Sequence, residues 1–143
     1  MRHRKKTIKL GRTSAHRDAM LANQVCSLIA VKRIKTTLPK AKATRSLAEK
    51  MVTLAKAGDL ASRRRALATL KNTKAVTELF SAIAPAFKDR KGGYTRIYKL
   101  GKRADSAEVA LLEWVNYVPP APKKTATDDK KKTKSPDDSS AKE

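Results

Sequence analysis

The chain of 143 residues is poor in the groups that carry out chemistry. It has one cysteine, Cys26, so no internal disulfide and no cysteine-based zinc site can form. A lone thiol suits a reducing compartment. There are two histidines, His3 and His16, and they are far apart in the sequence. Acids number 13 against 34 Lys and Arg, and no two acids of the first 118 residues form a close pair of the kind acid–base catalysis uses. Glycine occurs five times. Its one doublet, Gly92-Gly93, precedes a predicted strand instead of linking a strand to a helix, which excludes a phosphate-cradling loop. No apolar run approaches the about 18 residues of a membrane span. The opening Met1-Arg2-His3-Arg4-Lys5-Lys6 has no apolar segment behind it and does not read as a secretory signal. No catalytic residue, metal or cofactor is therefore expected.

Positive charge is what the chain has in excess, at a formal net of +21. The last 25 residues hold seven Lys against five acids, so +19 of that total lies in residues 1–118. The folded body itself is basic, and such a body repels itself unless a polyanion neutralises it. Nucleic acid is the usual polyanion. Aromatics are only six, and Phe80 and Phe87 fall on a core stripe. Base stacking across a sheet is thus a poor fit, and contacts to phosphate and sugar of a folded RNA fit better. A DNA-binding regulator would predict a symmetric dimer with half-site spacing. An RNA-modifying enzyme would need a cofactor loop or reactive cluster, and neither is present.

Three segments are expected. Residues 1–13 carry six Lys and Arg, no acid, and only Ile8 and Leu10 as bulky apolar groups. They read as a basic arm whose Arg2, His3, Arg4, Lys5, Lys6 and Arg12 contact RNA. Residues 14–118 read as one α+β domain, with helices packed on one side of a small sheet of about three strands. Residues 119–143 are Lys, Asp, Ser, Thr, Pro and Ala and read as a disordered tail.

Within the domain, a first helix starts near Ser14, its expected N-cap, and buries Leu21, Val25, Leu28 and Ile29. His16, Asn23 and Ser27 lie on its polar face. A short strand alternates from Arg33 to Leu38, with Ile34, Thr36 and Leu38 on one side and Arg33, Lys35 and Thr37 on the other. Pro39 opens a second helix with Leu47, Met51 and Leu54 as its stripe, and Gly58 ends it. Asp59 caps a third helix, which carries Arg63, Arg64 and Arg65. Asn72 or Thr73 starts a fourth, with Val76, Leu79, Phe80, Ile83 and Phe87 as its apolar face and a kink expected just before Pro85. Strands follow at Tyr94–Leu100 and Val109–Val118, the latter apolar enough to be central.

The run Ile34-Lys35-Thr36-Thr37-Leu38-Pro39-Lys40-Ala41-Lys42, followed after six residues by Glu49-Lys50-Met51-Val52-Thr53-Leu54-Ala55-Lys56, resembles the hallmark of the bacterial large-subunit ribosomal protein L17 family. The start Met1-Arg2-His3-Arg4, the pairs His16-Arg17, Ala19-Met20 and Arg63-Arg64, Asn23, and the stretches Gly92-Gly93-Tyr94-Thr95-Arg96-Ile97 and Leu111-Leu112-Glu113-Trp114-Val115 are similar to it in order and spacing. The resemblance covers roughly residues 1–118. It implies a non-enzymatic, cytoplasmic protein of the bacterial ribosome. The implied partners are large-subunit ribosomal RNA and protein neighbours near the outlet of the peptide tunnel, with the chain monomeric there and off any membrane. It also implies RNA-facing roles for Arg2, His3, Arg4, His16, Arg17, Asn23, Thr36, Thr37, Lys40, Lys42, Tyr94 and Arg96, joined by Arg63 and Arg64. Ala104-Asp105 departs from the family pattern, which has Gly-Asp at that turn.

Overall fold

A computed structural model of the chain describes residues 8–115. The elements run α1 (Ser14–Val31), β1 (Arg33–Thr37), α2 (Leu38–Ala57), α3 (Leu60–Leu70) and α4 (Thr73–Glu78). A wide π turn (Leu79–Ile83) and the short α5 (Ala84–Ala86) extend α4, and β2 (Thr95–Lys102) and β3 (Glu108–Trp114) close the fold. The α+β expectation holds, with three strands in the antiparallel order β1-β3-β2. The apolar β3 is central, as its composition implies. β3 ends at Trp114 with Val115 in a turn, short of the expected Val118, and residues 116–118 and the 119–143 tail lie outside the described residues.

Local chemistry accounts for most boundaries. The α1 N-cap is Thr13 and not Ser14, and Thr13 accepts the Arg17 N–H through its backbone carbonyl at 3.0 Å. The Ser14 hydroxyl instead accepts from Arg17 Nη2 at 3.1 Å. Lys32 ends α1 in the left-handed region at φ 68°, held there by its N–H to the Leu28 carbonyl, by its Nζ on the Ile29 carbonyl, and by an ion pair with Glu78. Gly58 ends α2 at φ 74°, where a residue without Cβ is not strained. The Asp59 side chain accepts from the Ser62 N–H at 3.3 Å and caps α3, and hydrogen bonding from the Ser62 side chain, with this N–H bond adding to it, lowers the Asp59 pKa. Asn72 caps α4 by accepting from the Ala75 N–H at 3.1 Å.

Pro85 has no N–H to offer the Ser81 carbonyl, and its ring would crowd that group. The expected kink takes the form of the π turn, in which the Ala84 N–H reaches back five residues to the Leu79 carbonyl.

The register places Ile34 and Ile97 on either side of Leu112, and Thr95 opposite Trp114. This face of the sheet meets the helices. Leu28, Ile29, Val52, Leu79 and Leu112 are fully buried beneath it. Phe87 packs on Tyr94 at 5.4 Å and on Trp114 at 6.1 Å between ring centroids. Trp114 Nε1 donates to the Leu28 carbonyl at 3.0 Å, tying the central strand to α1.

Along α2 the buried side is Leu38, Ala41, Thr44, Ala48, Met51, Val52 and Ala55, while Leu47 and Leu54 are only half-buried. Of the expected Leu47–Met51–Leu54 stripe, Met51 is buried as expected, while the two leucines pack at the margin of the core. Alanines at the seam let α2 lie close against its neighbours, and close packing, not side-chain bulk, selects which face turns inward. Thr44 is fully buried and donates to the Gln24 side-chain oxygen, whose amide donates to Thr36 Oγ1 at 3.4 Å. That chain of bonds satisfies polar groups between α1, α2 and β1.

Candidate nucleic-acid interface

The described residues contain 23 Lys and Arg against eight Asp and Glu. Five ion pairs occur among them: Arg17–Asp18, Lys32–Glu78, Arg33–Glu113, Arg45–Glu49 and Arg103–Asp105. Eight acids cannot balance 23 cations, so the surplus faces outward as a positive surface.

The β1–α2 corner is the best-defined part of that surface. β1 delivers Thr37 in extended conformation (φ −74°, ψ 148°) to the N-cap of α2, and Pro39 fixes the entry. The Thr37 side chain makes no capping hydrogen bond, and the first turn contains no acid. The positive end of the α2 dipole and its first N–H groups are thus available to an anion. Lys40 is half-buried beside this end and Lys42 is exposed. Thr36 is half-buried and bonded to Gln24, so its hydroxyl works inside the fold as much as outside. Leu38 is the first residue of α2, not the last of β1.

On α1, His16 and Asn23 are exposed on one face, seven residues apart. The Arg17 side chain, 15% exposed, bonds Ser14 and lies 3.9 Å from Asp18. Arg12 folds back so that Nη1 donates to the Leu10 carbonyl at 2.9 Å. Arg2, His3, Arg4, Lys5 and Lys6 lie outside the described residues.

The face of the sheet turned away from the helices carries Arg33, Lys35 and Thr37 of β1, Val109, Leu111 and Glu113 of β3, and Arg96 and Tyr98 of β2. Arg96 Nη1 donates to the Tyr98 hydroxyl at 3.2 Å, and Arg33 and Arg96 flank Glu113. Tyr98 and Leu100 are 41% and 50% exposed. Arg33 and Lys35 join this surface although only the β1 alternation marked them. Tyr94 does not belong to it. Its ring is 4% exposed in the aromatic cluster, and its hydroxyl meets Lys56 Nζ at 3.5 Å. The expected strand start at Tyr94 moves to Thr95, and Tyr94, one residue before β2, packs its ring inward on Phe87.

Arg63 and Arg64 are exposed on α3. The Arg63 guanidinium lies 5.5 Å from the centroid of Phe80, which packs against the core but is only partly buried, short of the full burial expected of its stripe. Among the described residues no group of three His, Cys, Asp or Glu is placed to hold a metal. No helix there is long and apolar enough to cross a membrane. Cys26 is half-buried, its thiol is pushed up by burial, and Sγ donates to the Leu70 carbonyl at 3.7 Å.

The model of the family described as Ribosomal protein L17 matches residues 20–115. The chain belongs to the ribosomal protein L17 family. It is 60% identical over 117 residues to the large ribosomal subunit protein bL17 of Akkermansia muciniphila, covering 81% of this chain and 86% of that one. To the bL17 of Alkaliphilus metalliredigens it is 61% identical over 108 residues, 75% of this chain and 96% of the relative. To that of Desulfotalea psychrophila it is 54% identical over 118 residues, 82% and 92%.

The match to the L17 family ends at Val115, just beyond β3, so the sheet and all the helices fall within or beside it. At the β2–β3 turn, the Ala104-Asp105 departure is accommodated. The left-handed residue there is Ser106 (φ 59°), and Ala104 is not in that region. Asp105 accepts from Arg103 Nε at 2.9 Å and from the Ala107 N–H at 3.2 Å, which together lower its pKa to about 2.

Proposed function

We propose that this protein is a non-catalytic structural constituent of the large ribosomal subunit that binds large-subunit ribosomal RNA, mainly through phosphates and sugars, and so supports subunit assembly and translation. The observation that carries this reading is the charge of the folded body, 23 cations against eight acids over residues 8–115, in a chain of the L17 family. Nothing within the fold offsets that surplus, and a polyanion does. The β1–α2 corner with Thr37, Lys40 and Lys42 is the principal anchor in the body. His16, Arg17 and Asn23 on α1, Arg63 and Arg64 on α3, and Arg33, Lys35 and Arg96 on the open sheet face extend the contact. Residues 1–13 act as a basic arm along the RNA, and residues 119–143 as a tail outside the core contact. The protein works in the bacterial cytoplasm as a single copy per subunit, beside other ribosomal proteins near the peptide tunnel outlet.

Sedimentation tests this directly. The cellular protein is expected to co-migrate with the large subunit after a high-salt wash. The purified protein is expected to bind deproteinised large-subunit RNA with an affinity that falls steeply with salt, each neutralised phosphate adding about 0.7–0.9 to the log–log slope. Recovery in the soluble fraction, or an affinity indifferent to salt, overturns the reading.

A further inference from the structure

A shallow pocket of about 430 Å³ opens where the end of α2 meets the π turn, lined by Ala55, Lys56, Phe80, Ala84, Pro85 and Lys88. We propose that it receives one unstacked nucleotide of the bound RNA, the base against the apolar wall and the phosphate on Lys88, an inference that rests on the RNA-binding reading above. Phe80 lies on the stripe that buries Val76, Leu79, Ile83 and Phe87, yet it is only partly buried and packs at the edge of that core. The π turn that Pro85 imposes breaks the helical phase at this point, and such turns recur at functional sites.

The surroundings select the occupant. The wall is apolar and aromatic, while the rim is cationic. Lys56 Nζ is pinned there by its bond to the Arg90 carbonyl at 2.6 Å and its place 5.4 Å from the Tyr94 centroid. Lys88 is exposed. The Arg63 guanidinium, 5.5 Å from the Phe80 centroid, adds a third positive group and a planar surface. Of the nearby acids, Asp59 is engaged in capping α3, and Asp89 is exposed beside Lys88 in the sequence. A flat apolar group joined to an anion fits this wall and rim, and a nucleotide swung out of its stack is such a group.

Wild type, Phe80→Leu and Lys88→Gln are compared for binding to deproteinised large-subunit RNA over a salt series, with thermal melts to confirm folding. Phe80→Leu is expected to weaken binding about fivefold with the salt slope unchanged, because stacking releases no counterions. Lys88→Gln is expected to flatten the slope by about one contact, roughly 0.7–0.9. Ultraviolet irradiation of the wild-type complex is expected to crosslink a nucleotide to the tryptic peptide of residues 75–88, a readout that stands if Phe80→Leu does not fold. Wild-type affinity in a folded Phe80→Leu protein, or crosslinks confined to other peptides, overturns the proposal. So does normal binding of Phe80→Leu to naked RNA with loss only from assembled subunits, which would assign the pocket to a protein neighbour. Failure of the wild type itself to bind the RNA is the separate failure of the RNA-binding reading.

Discussion

Replacing Lys40 and Lys42 together by alanine separates RNA affinity from stability. Lys40 is the third residue of α2, close to the positive end of its dipole, and no acid shares the first turn. A cation in that position opposes the dipole by roughly 0.3–1 kcal/mol, and alanine is the better helix former. Lys42 is exposed beyond the first turn, and neither change removes a core group. The free double variant should therefore melt at the same temperature or a few degrees higher. Binding should move the other way. At about 0.1 M salt, a slope of about 0.8 per phosphate amounts to about 1 kcal/mol per contact, so two lost contacts weaken binding roughly 30-fold. The deficit should shrink as salt rises, because counterion release is its source, and the log–log slope should fall by up to about 1.6. Calorimetric melts and filter binding between low and high salt decide it. Unchanged affinity and slope in a folded variant would refute the corner as an anchor and shift that role to the N-terminal arm. A loss equal at all salt concentrations would refute the electrostatic account.

Removing residues 1–12 should weaken RNA binding and leave the melting temperature nearly unchanged, since Thr13 and its carbonyl bond to the Arg17 N–H remain in place. A large drop in melting temperature would make the arm structural. Trp114→Phe should cost about 1–3 kcal/mol, on the order of 10 °C in melting temperature, through loss of the buried Nε1 bond and of ring volume. The cost stays in that range because the Leu28 carbonyl keeps the Lys32 N–H at 2.9 Å, and an unchanged melt would contradict the core assignment. Asp105 should titrate with a midpoint of about 2 by NMR, below the ordinary 3.8. A carboxylate depressed in the folded state stabilises above its ordinary pKa and loses that contribution as the pH falls from about 4 towards 2, and Arg103→Gln should raise the midpoint.

Arg103 and Asp105 form their pair from two positions apart, and that is the scale of interaction legible in the sequence. Asp59 and Asn72 as caps, Gly58 as a helix end and Pro39 as a helix opener all depend on neighbours within four residues, and all stand where the residue pattern put them. The basic body follows from composition, and the central place of β3 from its apolar run between two more polar strands. The proposed main anchor was legible for the same reason, because a strand, a proline and two lysines in succession define a charged helix start without reference to the rest of the chain.

Burial at single positions was settled by what arrives from far along the chain. Ala41, Ala48 and Ala55 carry little hydrophobic signal, yet they occupy the α2 seam, because close helix approach rewards small side chains and pushes Leu47 and Leu54 to the margin. Tyr94, just before β2, turns into the core because Phe87, seven residues back and beyond the Gly92-Gly93 turn, offers its ring a partner there. Phe80 turns partly outward because Pro85, five residues on, widens the helix beneath it, and only then does a cationic rim from α2 and the α5 end surround it. Period and charge are properties of a segment, whereas exposure belongs to the assembled surfaces, and the tertiary contacts decide it.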